Sequence, residues 1–459
     1  MELPEAFKKK YQQLLGDEAT AFLESFNQPS TSGFRQNPLK NDIPSATIDS
    51  ADGEVPAVPD GYYGSVDGHS LDHVTGWVYS QEPSAMYVGE VVDPQPGERV
   101  LDLCAAPGGK STHLIAKMHD QGLLVANEIF KKRAQILASN LERWGTRNTV
   151  VLNERPDNLE KHFPAFFDRI LVDAPCSGEG MFRKEPAGIE YWNPDYPAEC
   201  ANRQRKILQS ALKMLKAGGT LVYSTCTFAP EEDEQNIAWL LKEYPTLEMV
   251  AIKKFPGMDD GRPDWADGNP ELVKAVRLFP HHYKGEGHFI AKLRLRDQSL
   301  GAPTKRRNQH KKKHRGSTNN GRLTTDEQQL FTAFQNEALP GQSFKNLVKF
   351  GDQLYSLPEG MVKLTNLQVQ TPGLHLGTLK KNRFEPSLAL AFSCQPKQVT
   401  NQVAITKDQW RQYVHGDVLR VKQALPNGWY LLVCDHHSVG FGKMVNGTIK
   451  NFFPKGLRF

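Results

Sequence analysis

Residues 99–112 read Arg99-Val100-Leu101-Asp102-Leu103-Cys104-Ala105-Ala106-Pro107-Gly108-Gly109-Lys110-Ser111-Thr112. A short apolar run ends in an acid, a turn of small residues follows, and an amphipathic stretch from Ser111 to Met118 comes next. That order reads as a buried strand, a tight glycine turn and a helix. The alternation recurs downstream. Gly122 to Glu128 reads as a second strand, Lys131 to Trp144 as a helix, Thr149 to Leu152 as a third strand, Arg169 to Asp173 as a fourth, Glu199 to Leu215 as a helix and Gly219 to Thr225 as a fifth strand. Strands alternating with helices imply right-handed βαβ units and a parallel sheet. Continuously apolar strands imply a sheet covered on both faces. The region 93–298 is therefore expected to be an α/β domain with its ligand at the carboxyl ends of the strands.

On either side the texture differs. Phe7, Tyr11, Leu14 and Leu15 share one helical face, and Phe22, Leu23 and Phe26 continue it before a loop-rich stretch, so residues 1–92 are expected to form an N-terminal module. Residues 299–323 are polar and basic, and from Lys305 to Arg315 seven of eleven residues are Lys or Arg. Such a run is a solvated linker by default, and it also attracts phosphates by releasing counterions from nucleic acid. Residues 324–459 open with a helix from Thr325 to Asn336 and end in a hairpin, Trp429 to Cys434 with Ser438 to Lys443.

Composition narrows the function classes. The chain has 459 residues, 39% hydrophobic and 24% charged, with a net charge of +4, which excludes wholesale disorder. No run approaches the ~18 consecutive apolar residues of a membrane span. The N-terminus lacks the apolar core of a secretory signal, so a cytoplasmic protein is expected. Six cysteines without a CxxC pair make neither a disulfide framework nor a zinc site, and no metal is expected.

Reactive groups stand at the ends of the strands. The glycine turn of Cys104, Ala105, Ala106, Pro107, Gly108, Gly109 and Lys110 lets backbone approach a ligand. It is not a P-loop, because G-x-x-x-x-G-K-[ST] requires glycine at 104, where this chain has Cys104, and an NTPase is excluded on that spacing. Glu128 ends the second strand, where an acid holds the ribose hydroxyls of a nucleoside cofactor. Asp173-Ala174-Pro175-Cys176 follows the fourth strand and Ser224-Thr225-Cys226-Thr227 the fifth. A single such cysteine is by default a small buried hydrophobe, but two thiols on one sheet edge, with an acid and a nucleoside site, suit cytosine chemistry. A thiolate adding to C6 turns C5 into a carbon nucleophile able to accept a methyl group, and a base must then remove the C5 proton.

The segments DLCAAPGGKST, ANE, VDAPCSGEGMFRKEP and YSTCTFAPEEDEQN resemble the motifs of the Sun (NOL/NOP) family of RNA (cytosine-C5) methyltransferases. Gly33 to Lys40 and Tyr79 to Ser84 resemble that family's N-terminal module, and the C-terminal region resembles the PUA-like tail of the RsmF-type bacterial 16S rRNA enzymes. The resemblance implies a Rossmann-like class I methyltransferase fold with an N-terminal α+β RNA-binding module and a C-terminal PUA-like domain. It implies S-adenosyl-L-methionine as cofactor, with Cys104 through Lys110 around its methionine moiety, Glu128 at its ribose and Asp173 between cofactor and base. By the same resemblance Cys226 is the nucleophile and Cys176 assists breakdown of the covalent adduct.

The implied partner is ribosomal RNA, 16S rRNA within or before the small subunit, with the protein a monomer. Two alternatives stand beside it: a tRNA (cytosine-C5) methyltransferase, and a catalytically idle RNA-binding assembly factor. An acid that would hold the adenine amino group is unassigned within Asn153-Glu154-Arg155-Pro156-Asp157. Lys110, Arg183 and Lys184 are candidates for phosphate or base contacts. Cys200, Cys394 and Cys434 read as structural, Trp429, Tyr430, Phe452 and Phe453 as core, and His436-His437 as a loop or RNA-facing pair rather than a metal site.

Overall fold

The five apolar runs form five parallel strands: β1 (Arg99–Asp102), β2 (Leu123–Asn127), β3 (Thr149–Leu152), β4 (Phe167–Asp173) and β5 (Leu215–Thr225). The structure, a computed structural model, describes residues 2–40, 43–296, 321–421 and 424–459. The basic run at 305–315 lies outside the described residues. The strand order is β5-β4-β1-β2-β3. The chain winds outward from β1 to β3, then crosses back to lay β4 on the other side of β1, which opens a crevice above the carboxyl ends of β1 and β4. A sixth strand, β6 (His288–Leu295), runs antiparallel to β5, and the short strands Leu247–Met249, Asp259–Asp260 and Val276–Leu278 complete that side.

The two-residue period of a strand splits each apolar run between two cores. Leu101, Val125, Val150, Ile170 and Leu221 face helices α3 (Tyr196–Met214) and α4 (Glu234–Glu243) through Leu208, Met214, Ile237 and Leu240. Val100, Leu124, Leu171, Val222 and Ile290 face the opposite layer, where Leu114 and Ile115 of α1 (Gly109–Lys117) and Met86 and Val88 of the helix Pro83–Val92 pack. Helix α2 (Lys131–Trp144) buries Leu137, Ala138 and Leu141 against Ala105, Ala106 and Val151.

Residues 2–92 contribute the helices Glu5–Leu15 and Ala19–Ser25 and a three-stranded antiparallel sheet. Phe7, Tyr11 and Leu15 are buried on one helical face as their spacing predicts, and Leu14 is only partly covered. With Phe22 and Phe26 they pack onto Phe182, Trp192, Phe228 and Phe279 of the central domain.

The segment Gly33 to Lys40 is a brace. Arg35, fully buried, donates to the Gly109 carbonyl and Thr112 Oγ1 at the first turn of α1, each at 2.6 Å. Asn37 donates to the Gly76 and Trp144 carbonyls.

The C-terminal residues form a four-stranded and a five-stranded sheet, the latter built on the expected hairpin, Gly428–Cys434 with His437–Val445. Trp429, Tyr430 and Phe453 are core residues, and Phe452 packs partly buried beside them. This region also joins the central sheet. A strand β7 (Val369–Thr371) pairs antiparallel with the outer edge of β3, and the next peptide group, Gln368 N–H, donates to Glu154 Oε1 at 2.7 Å.

His437 is a strand residue rather than a loop residue. It is buried, stacks on Trp77 at 4.0 Å between ring centroids, and its Nε2 lies 2.8 Å from Asp72 Oδ1. His437 opens the strand His437–Val445, and the turn residue before it, His436 (φ +69°), is exposed. Burial tends to raise the Asp72 carboxyl, but hydrogen bonds from His437 and Thr47 outweigh it and hold it below its ordinary range. Removing one partner of a buried pair leaves the other uncompensated. His437→Ala is expected to cost about 3 kcal/mol, and adding Asp72→Ala to return at least 1 kcal/mol of that, measured as a double-mutant cycle in denaturant.

Candidate active site

The site follows from the pairing of β4 with β5. Their register sets Asp173 opposite Ser224, and Ser224 Oγ donates to Asp173 Oδ1 at 2.7 Å. Cys176 lies three residues past Asp173 and Cys226 two past Ser224, so the two loops leave the sheet side by side and bring Cys176 Sγ within 3.3 Å of Cys226 Sγ. Gly180 makes the approach possible. Its N–H donates to the Cys226 carbonyl at 2.9 Å, and a Cβ there would stand 3.0 Å from the carbonyl oxygens of both Cys226 and Gly287.

Asp173 also receives Lys110 Nζ at 2.8 Å from the start of α1. Burial pulls the Lys110 ammonium down, but the Asp173 charge more than offsets it, and the lysine stays above its ordinary value. Burial likewise tends to raise Asp173, yet Lys110 and His288 hold that carboxyl well below the usual range. The pair is therefore ionised across neutral pH. The turn that delivers Lys110 passes through Gly108 in the left-handed region (φ +116°), where L side chains are strained.

The thiols are not equivalent. The hydrogen bond to Cys226, and then burial, push the Cys176 thiol well above its ordinary value. Burial does the same to Cys104. Cys200, Cys394 and Cys434 are buried, and none of them lines the cleft beside Cys176 and Cys226.

The thiols open on a cleft of about 670 Å³. Of the residues singled out from sequence, Cys104, Ala106, Glu128, Asp173, Cys176 and Cys226 line it; Ala105, Pro107, Gly108, Gly109 and Lys110 are not among its lining residues. Glu128 is buried, with its carboxylate held by the Phe130 N–H and by Arg133. The loop after β3 contributes Arg155, Pro156 and Asp157, while Glu154 turns away to accept from Asn158 and Gln368.

Sequence reading missed the exposed Ile129 and Phe130, and the face of α3 bearing Arg203, Lys206 and Ile207. The pair Ile129-Phe130 straight after the strand acid was the available signal. Arg183 is not open to phosphate: it is locked onto Glu286 at 2.8 Å, while Lys184 is exposed. The run Glu232-Asp233-Glu234 leads into α4, whose first residue is Glu234, and is wholly buried, with Ser177, Thr225 and Arg277 respectively bonding those carboxylates.

Four family descriptions match segments of the chain. The description "16S rRNA methyltransferase RsmB/F" matches residues 90–294, "N-terminal domain of 16S rRNA methyltransferase RsmF" residues 3–83, "RsmF rRNA methyltransferase first C-terminal domain" residues 333–394 and "Methyltransferase RsmF PUA domain" residues 400–459. The ribosomal RNA small subunit methyltransferase F of Escherichia fergusonii is 30% identical over 85% of this chain and 80% of its own length. The chain belongs to the RsmF family of 16S rRNA methyltransferases. The Cronobacter sakazakii protein of the same name is 29% identical over 99% of this chain and 96% of its own. A methyltransferase homolog protein from Pyrococcus horikoshii is 30% identical, with a TM-score of 0.56, over 63% of this chain and 95% of that one.

The chain is thus an RNA methyltransferase with a mixed α/β catalytic domain, an RsmF N-terminal domain and a PUA domain. S-adenosyl-L-methionine is the methyl donor its family implies, and the cleft's chemistry fits that molecule. Ile129, Phe130, Pro156 and Ile207 offer apolar faces to a purine, Glu128 an acid to vicinal hydroxyls, and Asp173 an anion to a cationic group.

The Lys110–Asp173 pair is the most sensitive part of this floor. Lys110→Met is expected to cost on the order of 2 kcal/mol at pH 7.5, since the pair is partly buried and a fully buried one loses roughly 3–5. Asp173 has a depressed folded pKa, so its contribution is present above the unfolded carboxylate value and lost as pH falls through the folded one. The cost of Lys110→Met should therefore shrink below about pH 4, and Asp173→Asn should suppress it at all pH values. Denaturant unfolding of the single and double variants at pH 3.5 and 7.5 measures both.

Proposed function

We propose that this protein forms 5-methylcytosine in 16S ribosomal RNA, with Cys226 as nucleophile and Cys176 as the residue that assists adduct breakdown. The observation that carries the reading is the thiol pair, 3.3 Å apart at the mouth of a nucleoside-sized cleft. Methyl transfer to an oxygen or exocyclic nitrogen needs no thiol, whereas C5 of cytosine needs a covalent addition at C6 first.

Cys226 Sγ forms a bond to C6, and the electron pair of the C5–C6 bond moves onto C5. S-adenosyl-L-methionine, when bound, supplies the electrophilic methyl group that C5 requires. We assign its methionine moiety to the turn Cys104, Ala105, Ala106, Pro107, Gly108, Gly109 and Lys110, and its ribose to Glu128. Among the acids left open after β3, Asp157 faces the cleft and Glu154 does not, so Asp157 is the candidate for the adenine amino group. Asp173, ionised and paired with Lys110, suits accepting a hydrogen bond from the cytosine amino group, and Lys110 keeps an ammonium donor at the same face. Once C5 carries the methyl group, the C5 proton leaves to a base, the C6–Sγ bond breaks and Cys226 returns as thiolate. Cys176 keeps its proton at neutral pH, which suits a partner that hydrogen-bonds the departing sulfur.

Residues 93–298 would carry the chemistry. Residues 1–92, 299–323 and 324–459 would hold RNA, the target base having left its stack to reach Cys226. Labelled S-adenosyl-L-methionine with unmethylated 16S rRNA, assembled small subunits or tRNA tests this. Wild type is expected to place label on C5 of a 16S cytosine, Cys226→Ala to lose activity by about a thousandfold or more, and Cys176→Ala to trap an RNA-linked protein band. Label on tRNA alone would overturn the ribosomal substrate, and full activity in Cys226→Ala would overturn the nucleophile.

A further inference from the structure

The loop that carries Cys176 has little backbone pairing of its own. Ala174 N–H reaches the Ser224 carbonyl and Gly180 N–H the Cys226 carbonyl, and between them the chain turns through Gly178 at φ +73°. Two buried side chains take the place of a ladder. Gln204, on α3, donates from Nε2 to the Pro175 carbonyl at 3.1 Å and to Glu232 Oε2 at 2.7 Å. Glu232 accepts the Ser177 N–H at 3.0 Å and the Ser177 hydroxyl. The peptide groups on both sides of Cys176 are thus gripped by one Gln–Glu pair.

That pair is itself fixed. Tyr223 and Asn236 donate to Gln204 Oε1 at 2.9 and 2.7 Å, and the Tyr223 hydroxyl also donates to the Glu232 carbonyl at 2.7 Å. The grip extends to the second thiol. Ser177 Oγ lies 2.8 Å from Thr227 Oγ1, so the residue after Cys176 is tied to the residue after Cys226. Both Gln204 and Glu232 have no exposed surface, and neither lines the cleft. A buried carboxylate and a buried amide are costly unless every group is used, and here the bonds that the pair makes outside its own support go to Pro175 and Ser177, on either side of Cys176.

We infer that Glu232 and Gln204 are positioning residues that set the spacing between Cys176 and Cys226 and thereby control release of the RNA from the enzyme rather than the attack on it. Attack needs Cys226 alone, at the end of β5 where the sheet holds it. Release needs Cys176 within reach of the Cys226 sulfur, and the clamp holds the peptide groups on both sides of Cys176. Burial pushes Glu232 up to about 8, so its neutral form is well populated near neutral pH and a glutamine is a close substitute.

The inference rests on the two-thiol reading above, and the test separates the two. Single-turnover methylation of 16S rRNA with labelled S-adenosyl-L-methionine is followed by denaturing gels, which give the ratio of RNA-linked enzyme to released methylated RNA. Glu232→Ala and Gln204→Ala are expected to raise that ratio about tenfold while the rate of first methyl transfer changes less than about threefold. Glu232→Gln, which keeps a carbonyl oxygen for the Ser177 N–H, is expected to return the ratio to within about threefold of wild type.

Gln204→Ala frees only the Pro175 side and serves if Glu232→Ala fails to fold. A parallel fall of attack and release at unchanged ratio would overturn the clamp, because a merely structural role predicts that. Trapping in Cys176→Ala without trapping in either clamp variant would overturn the clamp and leave the thiol roles standing. Absence of trapping in Cys176→Ala would remove the two-thiol reading and the clamp with it.

Discussion

The parallel pairing of β4 with β5 is the constraint on which the rest of the site depends. Because Asp173 sits opposite Ser224, two cysteines 50 residues apart in the chain leave the sheet from neighbouring positions. Neither loop chooses where it starts. What remains is to keep the sulfurs from separating, and that is done by polar side chains buried behind the loops. A one-residue slip would turn Asp173 to the other face of the sheet and break both its serine bond and its lysine pair.

A second consequence of that geometry is electrostatic. Lys110 pairs with Asp173 on the cleft side, whereas the buried acids Glu232 and Glu179 accept from Ser177 and Thr227, the residues that follow Cys176 and Cys226. The Cys176 thiol is held above its ordinary value by its hydrogen bond to Cys226 and by burial. The N-terminal helices take part in this arrangement, because Tyr11 donates to Glu179, and Glu179 also accepts from Trp192 and the Phe228 N–H. The aromatic packing of Phe7 and Phe22 therefore supports the floor of the site from outside the catalytic domain.

How legible this was in the sequence depended on the kind of residue. The five strands are readable because each is a run of apolar residues interrupted by nothing, and the reactive side chains are readable because they stand where those runs stop. The clamp was not. Gln204 sits in a stretch, Asn-Arg-Gln-Arg-Lys, that looks like the solvent face of a helix, and Glu232 sits in an acidic run that looks solvated. Burial of a polar group is decided by partners far away in the chain, and no local pattern records it. Arg35 and His437 were opaque for the same reason. Strand β7 was hidden differently: three residues, Val-Gln-Thr, acquire their conformation from the edge of β3, more than two hundred residues earlier.

That borrowed strand has a bearing on the modularity of the protein. Thr149-Val150-Val151-Leu152 is a short, β-branched, apolar segment, and without β7 it would be the outermost strand of the sheet with its hydrogen-bonding edge bare. Bare edges of that composition recruit other chains. The C-terminal region therefore covers an edge of the catalytic sheet that would otherwise be open to pairing. A chain ending at residue 296 would keep the thiol pair and its cleft and still lack the strand that covers the edge of β3.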